Sequence, residues 1–392
     1  MSTQRLGLIV ILAGLMAFAP MSIDMYLPAL PELARVLGTD AAHAQITLAT
    51  FFLGFAIGQA FYGPVSDRFG RKPPLYVSLS LYTLASLGCA LAPGIEELAA
   101  LRFLQALGAC AGAVIARAVV RDLFESHEAV KVLSALTLVF GLAPILAPLI
   151  GGYLLLWFGW QAIFYLLAGF GVVSLIAVIF GLPETHRPEN TRSLALGAVL
   201  GTYWHLLCQR RFLGYALCGG FGSAGMFAYI AGSPFVFIEL FGVAPQHYGW
   251  FFGTNAIGLV MAAQINGWLH RHAGSHAILN VVVAVQALAG LALLADAVTG
   301  LGDLFGIAVP LFLFVASLGF ISANTTVLAM EPFKATAGAA SALMGTLQFG
   351  LAAMAALGVS TIPSATALPM ASVIAACGVL GLLMLRVTVK RV

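Results

Sequence analysis

The sequence predicts an all-α polytopic membrane protein with twelve membrane-spanning helices. Its composition, its long apolar stretches and the distribution of its basic residues support this prediction. Of the 392 residues, 61% are hydrophobic and only 8% are charged, against about 25% charged residues in an average soluble domain. The mean hydropathy is +1.01. So few charges cannot cover a soluble surface of this size, and the composition therefore excludes a soluble enzyme, a nucleic-acid-binding protein and a disordered scaffold.

Twelve stretches are long and apolar enough to cross a membrane, since a bilayer core about 30 Å thick needs about 20 residues in a helix. The predicted spans are 6–27, 44–62, 74–92, 98–119, 133–156, 161–181, 212–237, 248–269, 277–297, 304–329, 336–358 and 368–388. Glycine and proline residues separate them. The first stretch is too long for the core of a signal peptide and no A-x-A site follows it, so we expect it to be retained as the first span.

The basic residues predict the orientation of these spans, because cytoplasmic segments of membrane proteins are rich in lysine and arginine. With the N-terminus inside, only Arg35 lies in an outer segment. The basic residues in cytoplasmic segments number fourteen: Arg5, Arg68, Arg71, Lys72, Arg121, Lys131, Arg187, Arg192, Arg210, Arg211, Arg271, Lys334, Lys390 and Arg391. The bias holds across alternate segments only if the number of spans is right. It therefore predicts that both termini are cytoplasmic.

An internal repeat predicts two similar halves. A shift of 204 residues places Gly38 on Gly242, His43 on His247, Gly54 on Gly258 and Gly70 on Gly274. Six spans per half is an even number, so both halves would have the same orientation in the membrane. The sequence thus predicts an N-terminal six-helix bundle over 1–181, a cytoplasmic linker over 182–211 and a C-terminal six-helix bundle over 212–392.

A charged motif with fixed glycines follows the second span. Its residues are Gly63, Asp67, Arg68, Gly70, Arg71 and Lys72, with the spacing G-x-x-x-D-R-x-G-R-K. The motif resembles the signature of the major facilitator superfamily, which implies the major facilitator fold. The resemblance also implies a conformational latch, with Asp67 at the N-terminus of span 11, where the helix dipole favours an anion. Asp122, just after span 4, is the expected partner of Arg71 or Arg68. The alternative is that the motif supplies only positive-inside charge.

The first span ends with an acidic residue, Asp24, in the outer third of the membrane. A carboxyl group at this depth is costly and usually faces a cavity or a partner. The segment D-x-Y-L-P-A-L-P, which begins at Asp24 and contains Tyr26, resembles the Bcr/CflA (bicyclomycin-resistance) branch of the drug:H⁺ antiporters. We expect Asp24 to carry the coupled proton. The alternative is a carboxylate that only caps the end of the helix.

The fourth span carries a charge that cannot be removed by deprotonation. Arg102 and Gln105 match the family's R-x-x-Q-G pattern, with Ala106 in place of the glycine. An arginine keeps its charge in proteins, so a buried Arg102 needs an acid or a polar substrate, and we expect it to share one cavity with Asp24. Arg117 lies deeper toward the cytoplasm, where it either faces the cavity or extends its charged end to the interface.

The fifth span contains prolines and glycines at close spacing: Gly141, Pro144, Pro148, Gly151 and Gly152. It resembles the antiporter signature G-x-x-x-G-P-x-x-G-G, although Ala143 and Pro144 alter the central spacing and Pro148 is a second proline. Glycines permit close approach of helices and prolines bend them. The resemblance implies a helix that helps to occlude the cavity, whereas close packing alone would give the same pattern.

Few polar residues remain inside the other spans, which favours lipophilic substrates. The residues expected to contact substrate are Tyr26, Gln105, Met226, Tyr229, Asn255, Asn324 and Gln348. None of the four lysines follows a glycine, so no P-loop is present and we expect no cofactor or metal, with the proton gradient as the energy source. Gly300 to Asp303 matches G-x-G-D of intramembrane proteases, but the motif lies in a turn and its partner aspartate is missing.

The predicted function is export of lipophilic drugs in exchange for protons across the inner membrane of a bacterium. We expect small lipophilic molecules, protons and lipid as partners, no nucleic acid, and a monomer. The alternative is a carrier of the same fold for a nutrient or another metabolite. Asp24 and Arg102 distinguish the two, because a proton-driven exporter needs a titratable group whose protonation competes with substrate binding.

Overall fold

The computed structural model describes residues 3–186, 196–361 and 366–389, which form helices joined by short turns. The helices are α1 Thr3–Asp24, α2 Leu30–Val36, α3 Ala41–Phe69, α4 Lys72–Ala90, α5 Ile95–Leu123, α6 Ser126–Phe158, α7 Gln161–Gly181, α8 Leu196–Cys208, α9 Arg210–Pro234, α10 Pro245–Thr299, α11 Asp303–Met330, α12 Ala337–Ser360 and α13 Leu368–Val389. A π-helical turn, Phe235–Leu240, extends α9. No strand occurs within these three described ranges, and the predicted all-α class is confirmed.

The described helices account for the twelve predicted spans. Ten of them are long and apolar enough to cross a membrane. One of the ten, α10, has 55 residues and contains Gly274 with the non-helical angles φ 69° and ψ 158°, so the chain turns there and α10 provides two spans. The less apolar α4, with 19 residues, matches the predicted span over 74–92. The twelve-helix fold is therefore confirmed.

The sequence repeat corresponds to a repeat in backbone conformation. Gly38 and Gly242 have φ of 64° and 67°, and Gly70 and Gly274 have φ of 86° and 69°. Such positive φ angles favour glycine, which has no Cβ, so both pairs of repeated glycines mark equivalent turns. The division at 182–211 stays a prediction, and part of that linker, 187–195, lies outside the described residues.

The first span is interrupted near its outer end. Helix α1 stops at Asp24, and a 3₁₀ turn, Leu27–Ala29, leads into the short α2. Pro28 and Pro31 explain the interruption, because proline lacks the N–H that a continuous helix needs. The residues of the turn are buried and contact α6, α9 and α10. The turn after α1 thus lies where N-terminal and C-terminal helices meet.

Two extensive contacts in the described part of the chain connect the helices before residue 182 with the helices after residue 211. Helix α3 packs along α12, and α6 packs along the first part of α10. On the α3–α12 contact the rings of Phe55 and Phe349 lie 4.4 Å apart between centroids. We call the end of the bundle that carries Gly70 and Lys72 the latch end, and the end that carries Met25 and Asp40 the opposite end.

Candidate functional site

A cavity of about 480 Å³ lies between the N-terminal and C-terminal helices. It is lined by residues of α1, α3, α5, α9, α11 and α12. Its apolar side chains include Met16, Met226, Met330, Met344, Phe55, Phe227 and Phe349. Methionine side chains adapt to ligands of different shape. A volume of this size is in the usual range for small-molecule sites.

The cavity extends toward the latch end. Gln59 lies in the last part of α3 and Arg117 near the end of α5, whereas Ala216 lies near the start of α9 and Ser341 near the start of α12. These four positions are all close to the same end of the bundle. A second cavity, of about 490 Å³, lies at the opposite end. Its lining excludes α1, α5 and α11, so of these two cavities the first is lined by more of the described helices.

Glycines permit close packing of α6 against α10. A Cβ atom on Gly152 would lie 2.8 Å from Cα of Gln246 on α10, whereas one on Gly151 would collide with the carbonyl oxygen of Met25, in the segment that follows α1. A Cβ atom on Gly249 would lie 2.6 Å from a methyl carbon of Leu149. We call this contact the glycine seam. Gly141, the first glycine of the predicted motif, is less crowded, because a Cβ atom there would lie 3.4 Å from the side chain of Val260. Pro144 and Pro148 lie within α6, between Gly141 and Gly151.

Arg102 is fully buried among the N-terminal helices. Its Nη1 donates to the carbonyl oxygen of Ser22 at 2.9 Å and to Oε1 of Gln105 at 2.6 Å. The guanidinium carbon lies 4.6 Å from the ring centre of Tyr26 and 4.3 Å from that of Phe51. Its Nε and Nη2 have no hydrogen-bond partner. Aromatic rings and neutral oxygens therefore surround this charge.

Asp24 is also buried, with 3% of its surface exposed, but its surroundings differ from those of Arg102. It interacts electrostatically with the hydroxyl groups of Tyr229 and Tyr248 on the C-terminal helices. The Tyr229 hydroxyl accepts a hydrogen bond from Nδ2 of Asn255 at 3.0 Å. In the part of the chain that the structure describes, no ion pair joins Asp24 to Arg102. The two residues expected to share a cavity thus have separate surroundings.

The residues expected to contact substrate divide into two groups. Met226 and Gln348 line the cavity. The others are absent from its lining and bond to protein groups: Tyr26, Gln105, Tyr229, Asn255 and Asn324. For example, Nδ2 of Asn324 donates to Oδ1 of Asn266 at 2.7 Å. In this arrangement of the helices, Met226 and Gln348 are the two of these seven residues that a molecule in the cavity could contact.

The charged motif forms a connected network around Arg71, which is 4% exposed. Its guanidinium donates to Oδ1 of Asp67 at 2.6 Å, to Oδ2 of Asp122 at 2.8 Å and to Oγ of Ser66 at 2.9 Å. Arg68 instead places its guanidinium 5.3 Å from the ring centre of Phe69. The side chain of Asp67 is 67% exposed. All the described partners of Arg71 belong to the N-terminal helices or to the segment that follows them.

Glu184, in that following segment, caps the start of α4. Its carboxylate accepts the backbone N–H groups of Arg71 and Lys72 at 2.8 and 2.9 Å, where the helix dipole favours an anion. Partial burial raises the pKa of Glu184, but hydrogen bonds from four backbone N–H groups outweigh it, so the pKa lies below its ordinary value. A Cβ atom on Gly70 would lie 2.9 Å from Glu184 Oε2. Positive φ and this approach together explain why glycine occupies position 70.

Comparison with known proteins identifies the family. The pattern that defines the Major Facilitator Superfamily matches residues 12–359. The chain belongs to the major facilitator superfamily. This transporter is 34% identical over 385 residues to the bicyclomycin resistance protein homolog of Haemophilus influenzae, covering 98% of this chain and 96% of that protein. It is 30% identical over 349 residues to multidrug resistance protein D of Escherichia coli, covering 89% and 87%. The predicted membership of the Bcr/CflA group is confirmed.

Other relatives and solved structures agree with this assignment. The transporter is 36% identical over 380 residues to the uncharacterized MFS-type transporter YdgK of Bacillus subtilis, covering 96% and 94% of the two chains. Its fold is similar to that of the xylose transporter XylE from E. coli in a partially occluded inward-open conformation. That comparison has a TM-score of 0.75 at 15% identity and covers 100% and 98% of the chains. At this identity the likeness concerns the fold alone.

Three residues of the transporter's site were not among the sequence-predicted ones. Gln59 lines the cavity, and Gly345 packs directly against its side chain. Arg117 lines the cavity too, which decides between its two sequence-based interpretations. The signal that identified Gln348, an amide inside an apolar span, could also have identified Gln59. No sequence pattern identified Glu184, because only the fold brings it close to Arg71.

Removing the Glu184 cap is expected to destabilise the transporter measurably. Glu184→Ala should lower the free energy of unfolding at pH 7 by about 0.5–1 kcal/mol, the lower part of the range for a helix cap because the carboxylate is partly exposed. Because the pKa of Glu184 is lowered in the folded state, its carboxylate contributes fully to the free energy of unfolding above about pH 4.5. This contribution is lost as the pH falls further. Thermal unfolding in detergent at several pH values measures this difference. Glu125→Ala is the control, since Glu125 precedes α6 without a side-chain cap; equal effects of both variants would contradict the prediction.

Proposed function

We propose that this transporter exports lipophilic drugs and other xenobiotics across the inner membrane of a bacterium, with proton entry as the driving force. The observation that carries the proposal is the methionine- and phenylalanine-lined cavity of about 480 Å³ between the two groups of helices. Relatives named for bicyclomycin and multidrug resistance support the substrate class. The latch end is proposed to face the cytoplasm, so the cavity is reached from inside and the glycine seam closes the outside.

Asp24 is proposed to carry the proton. It is buried at the end of α1, and the turn that follows contacts α9 and α10, so a change in its charge acts on the contact between the two groups of helices. Protonation and substrate binding would then oppose each other as two negatively coupled ligands. Each entering proton supplies about 2.3 kcal/mol per 100 mV and about 1.4 kcal/mol per pH unit.

Arg102 is proposed to position Asp24 rather than to pair with it. The hydrogen bond from Arg102 Nη1 to the Ser22 carbonyl oxygen fixes the last turn of α1 two residues before Asp24. The bond to Gln105 in turn holds the guanidinium on α5. Arg102 would therefore control where the carboxyl group of Asp24 lies relative to Tyr229 and Tyr248.

Resistance profiling tests the proposed function. The chain is expressed in a bacterium that lacks its major drug exporters, and growth inhibition is measured for unrelated lipophilic antibiotics. Export predicts at least a four-fold higher inhibitory concentration for several of them, and a protonophore should abolish the difference in accumulation of the compounds. A chain that changes no inhibitory concentration but supports uptake of a nutrient would establish the alternative carrier function.

We expect the latch to affect the rate of transport and not the affinity for substrate. Asp67→Asn removes the ion pair with Arg71, outside the cavity lining, and so should slow transport at least about three-fold by changing the balance of conformations. Substrate binding in detergent should change less than two-fold. The control is Glu128→Gln, which removes an ion pair with Arg5 outside the latch network. A large loss of affinity with a normal rate would exclude the latch role.

Both termini are proposed to lie in the cytoplasm, and the transporter is proposed to be a monomer. Val392→Cys should then resist a membrane-impermeant maleimide added to intact cells, and it should react after the membrane is opened. Val36→Cys, an exposed position near the opposite end, serves as the control that reacts in intact cells. Labelling of position 392 from outside would refute this topology.

Light scattering of the purified protein gives the oligomeric state.

A further inference from the structure

Arg117 is the one charged side chain among the residues that line the cavity in the described part of the chain. The other polar lining residues are neutral: Gln59, Gln348, Ser223, Ser322, Ser341, Thr325 and Thr326. The acids Asp24 and Asp67 are on α1 and α3, which line the cavity, but neither is a lining residue. Glu331, which follows the lining residue Met330, forms an ion pair with Arg211. The cavity therefore has a net positive charge.

One hydrogen bond holds the guanidinium of Arg117 in place and leaves its other N–H groups available to bind a ligand. Its Nε donates to the carbonyl oxygen of Ala113 at 3.0 Å, one turn earlier on α5. That bond uses one of the five N–H donors of the side chain, and the side chain is exposed. No described carboxylate pairs with it, whereas Asp122, near the end of the same helix, pairs with Arg71. The remaining donors of Arg117 can reach a ligand in the cavity.

We infer that the cavity accepts neutral and anionic lipophilic compounds and rejects lipophilic cations, and that Arg117 is the residue that sets this selectivity. An anionic or strongly accepting group on the substrate would form charge-assisted hydrogen bonds with the guanidinium. A cation of the same size would meet an uncompensated like charge among low-dielectric walls, where repulsion is much stronger than in water. The inference rests on the proposed function, since it defines the substrate class of the proposed export cavity.

Tetraphenylborate and tetraphenylphosphonium test this inference because they have nearly the same shape and opposite charges. Binding of each ion to the purified full-length protein in a non-ionic detergent is measured by equilibrium dialysis, with empty micelles subtracted. The wild type is expected to bind the anion at least about ten-fold more tightly than the cation. Arg117→Gln should reduce this ratio to about one, and Arg117→Lys, which keeps the charge, should restore most of it.

Arg121→Gln is the matched control, because it removes the same charge one turn further along α5 at a position outside the cavity lining. It should leave the ratio unchanged. Thermal unfolding and gel filtration show that each variant is folded. A wild type that binds the cation as tightly as the anion, or that binds neither, would overturn the inference, as would an unchanged ratio in Arg117→Gln. The resistance profile is independent of these results, so a failure of drug export itself would be recognised separately.

Discussion

Asp24→Asn is expected to abolish the concentration of substrate against its gradient. The substitution keeps the size and polarity of the side chain but removes the group that gains and loses the proton. Uphill efflux in membrane vesicles should fall at least about ten-fold, whereas substrate exchange without a proton gradient should continue. Substrate binding should also become nearly independent of pH between about 5 and 8, because the competing protonation has been removed. Efflux after an imposed pH step and binding at several pH values measure the two effects.

The control for this experiment is Asp296→Asn. Asp296 lies near the end of α10, and its Oδ1 accepts the backbone N–H of Gly302 at 2.8 Å, so its carboxylate already has a structural role in a turn. This variant should retain proton-driven efflux. Normal uphill transport by Asp24→Asn would eliminate Asp24 as the proton carrier, and loss of coupling in Asp296→Asn would transfer that role to Asp296.

Gly152→Ala should prevent the glycine seam from closing, although the substitution adds a single methyl group. The new Cβ atom would lie 2.8 Å from Cα of Gln246 and 2.8 Å from the backbone oxygen of Pro245, and neither backbone can move without separating α6 from the start of α10. Overpacking of this kind costs about 1–3 kcal/mol or more, which corresponds to about a ten-fold change in a conformational equilibrium for each 1.4 kcal/mol. Transport should therefore slow at least about ten-fold. A cysteine at Gln246, which lies against Gly152, should react faster with a water-soluble maleimide in this variant.

Gly169→Ala in α7 is the matched control, because nothing lies within 4 Å of its added Cβ atom. Alanine is the better helix former by about 1 kcal/mol, so this control should be neutral or slightly more stable. The same slowing in both variants would show that the effect comes from the helix and not from the seam. Unchanged transport in Gly152→Ala would show that the seam opens and closes without this contact.

Membrane spans could be predicted from the sequence because the bilayer imposes a length and an apolar composition on each helix. Their ends were less certain: the first span was predicted to reach residue 27, but α1 ends at Asp24, since Pro28 and Pro31 begin a new helical segment. The charged motif could also be located, because its residues are close together in the chain. Its cap could not, since Glu184 is far from Arg71 in sequence and only the packing of α7 brings the two together.

The partners of buried polar residues could not be predicted from the sequence. A polar side chain in an apolar span indicates that some partner exists, and it does not show whether that partner is a substrate or the protein itself. Asn324 bonds to Asn266, and Asn255 bonds to Tyr229, so these amides satisfy one another within the helices. Arg117, for which the sequence left two interpretations open, lines the cavity because of the rotation of α5 about its axis, a quantity that apolar composition does not determine.

The separation of Asp24 from the cavity has a consequence for the breadth of the substrate range. Asp24 precedes Met25, which lies against Gly151 of α6, and Met226 and Gln348 line the cavity, so on the proposed mechanism proton and drug compete for a conformation of the protein and not for the same space. A compound then needs no group that displaces the proton and no particular shape near the carboxyl group. Any molecule that fills the cavity of the unprotonated transporter is exchanged for the same proton, and one energy source can serve chemically unrelated cargoes.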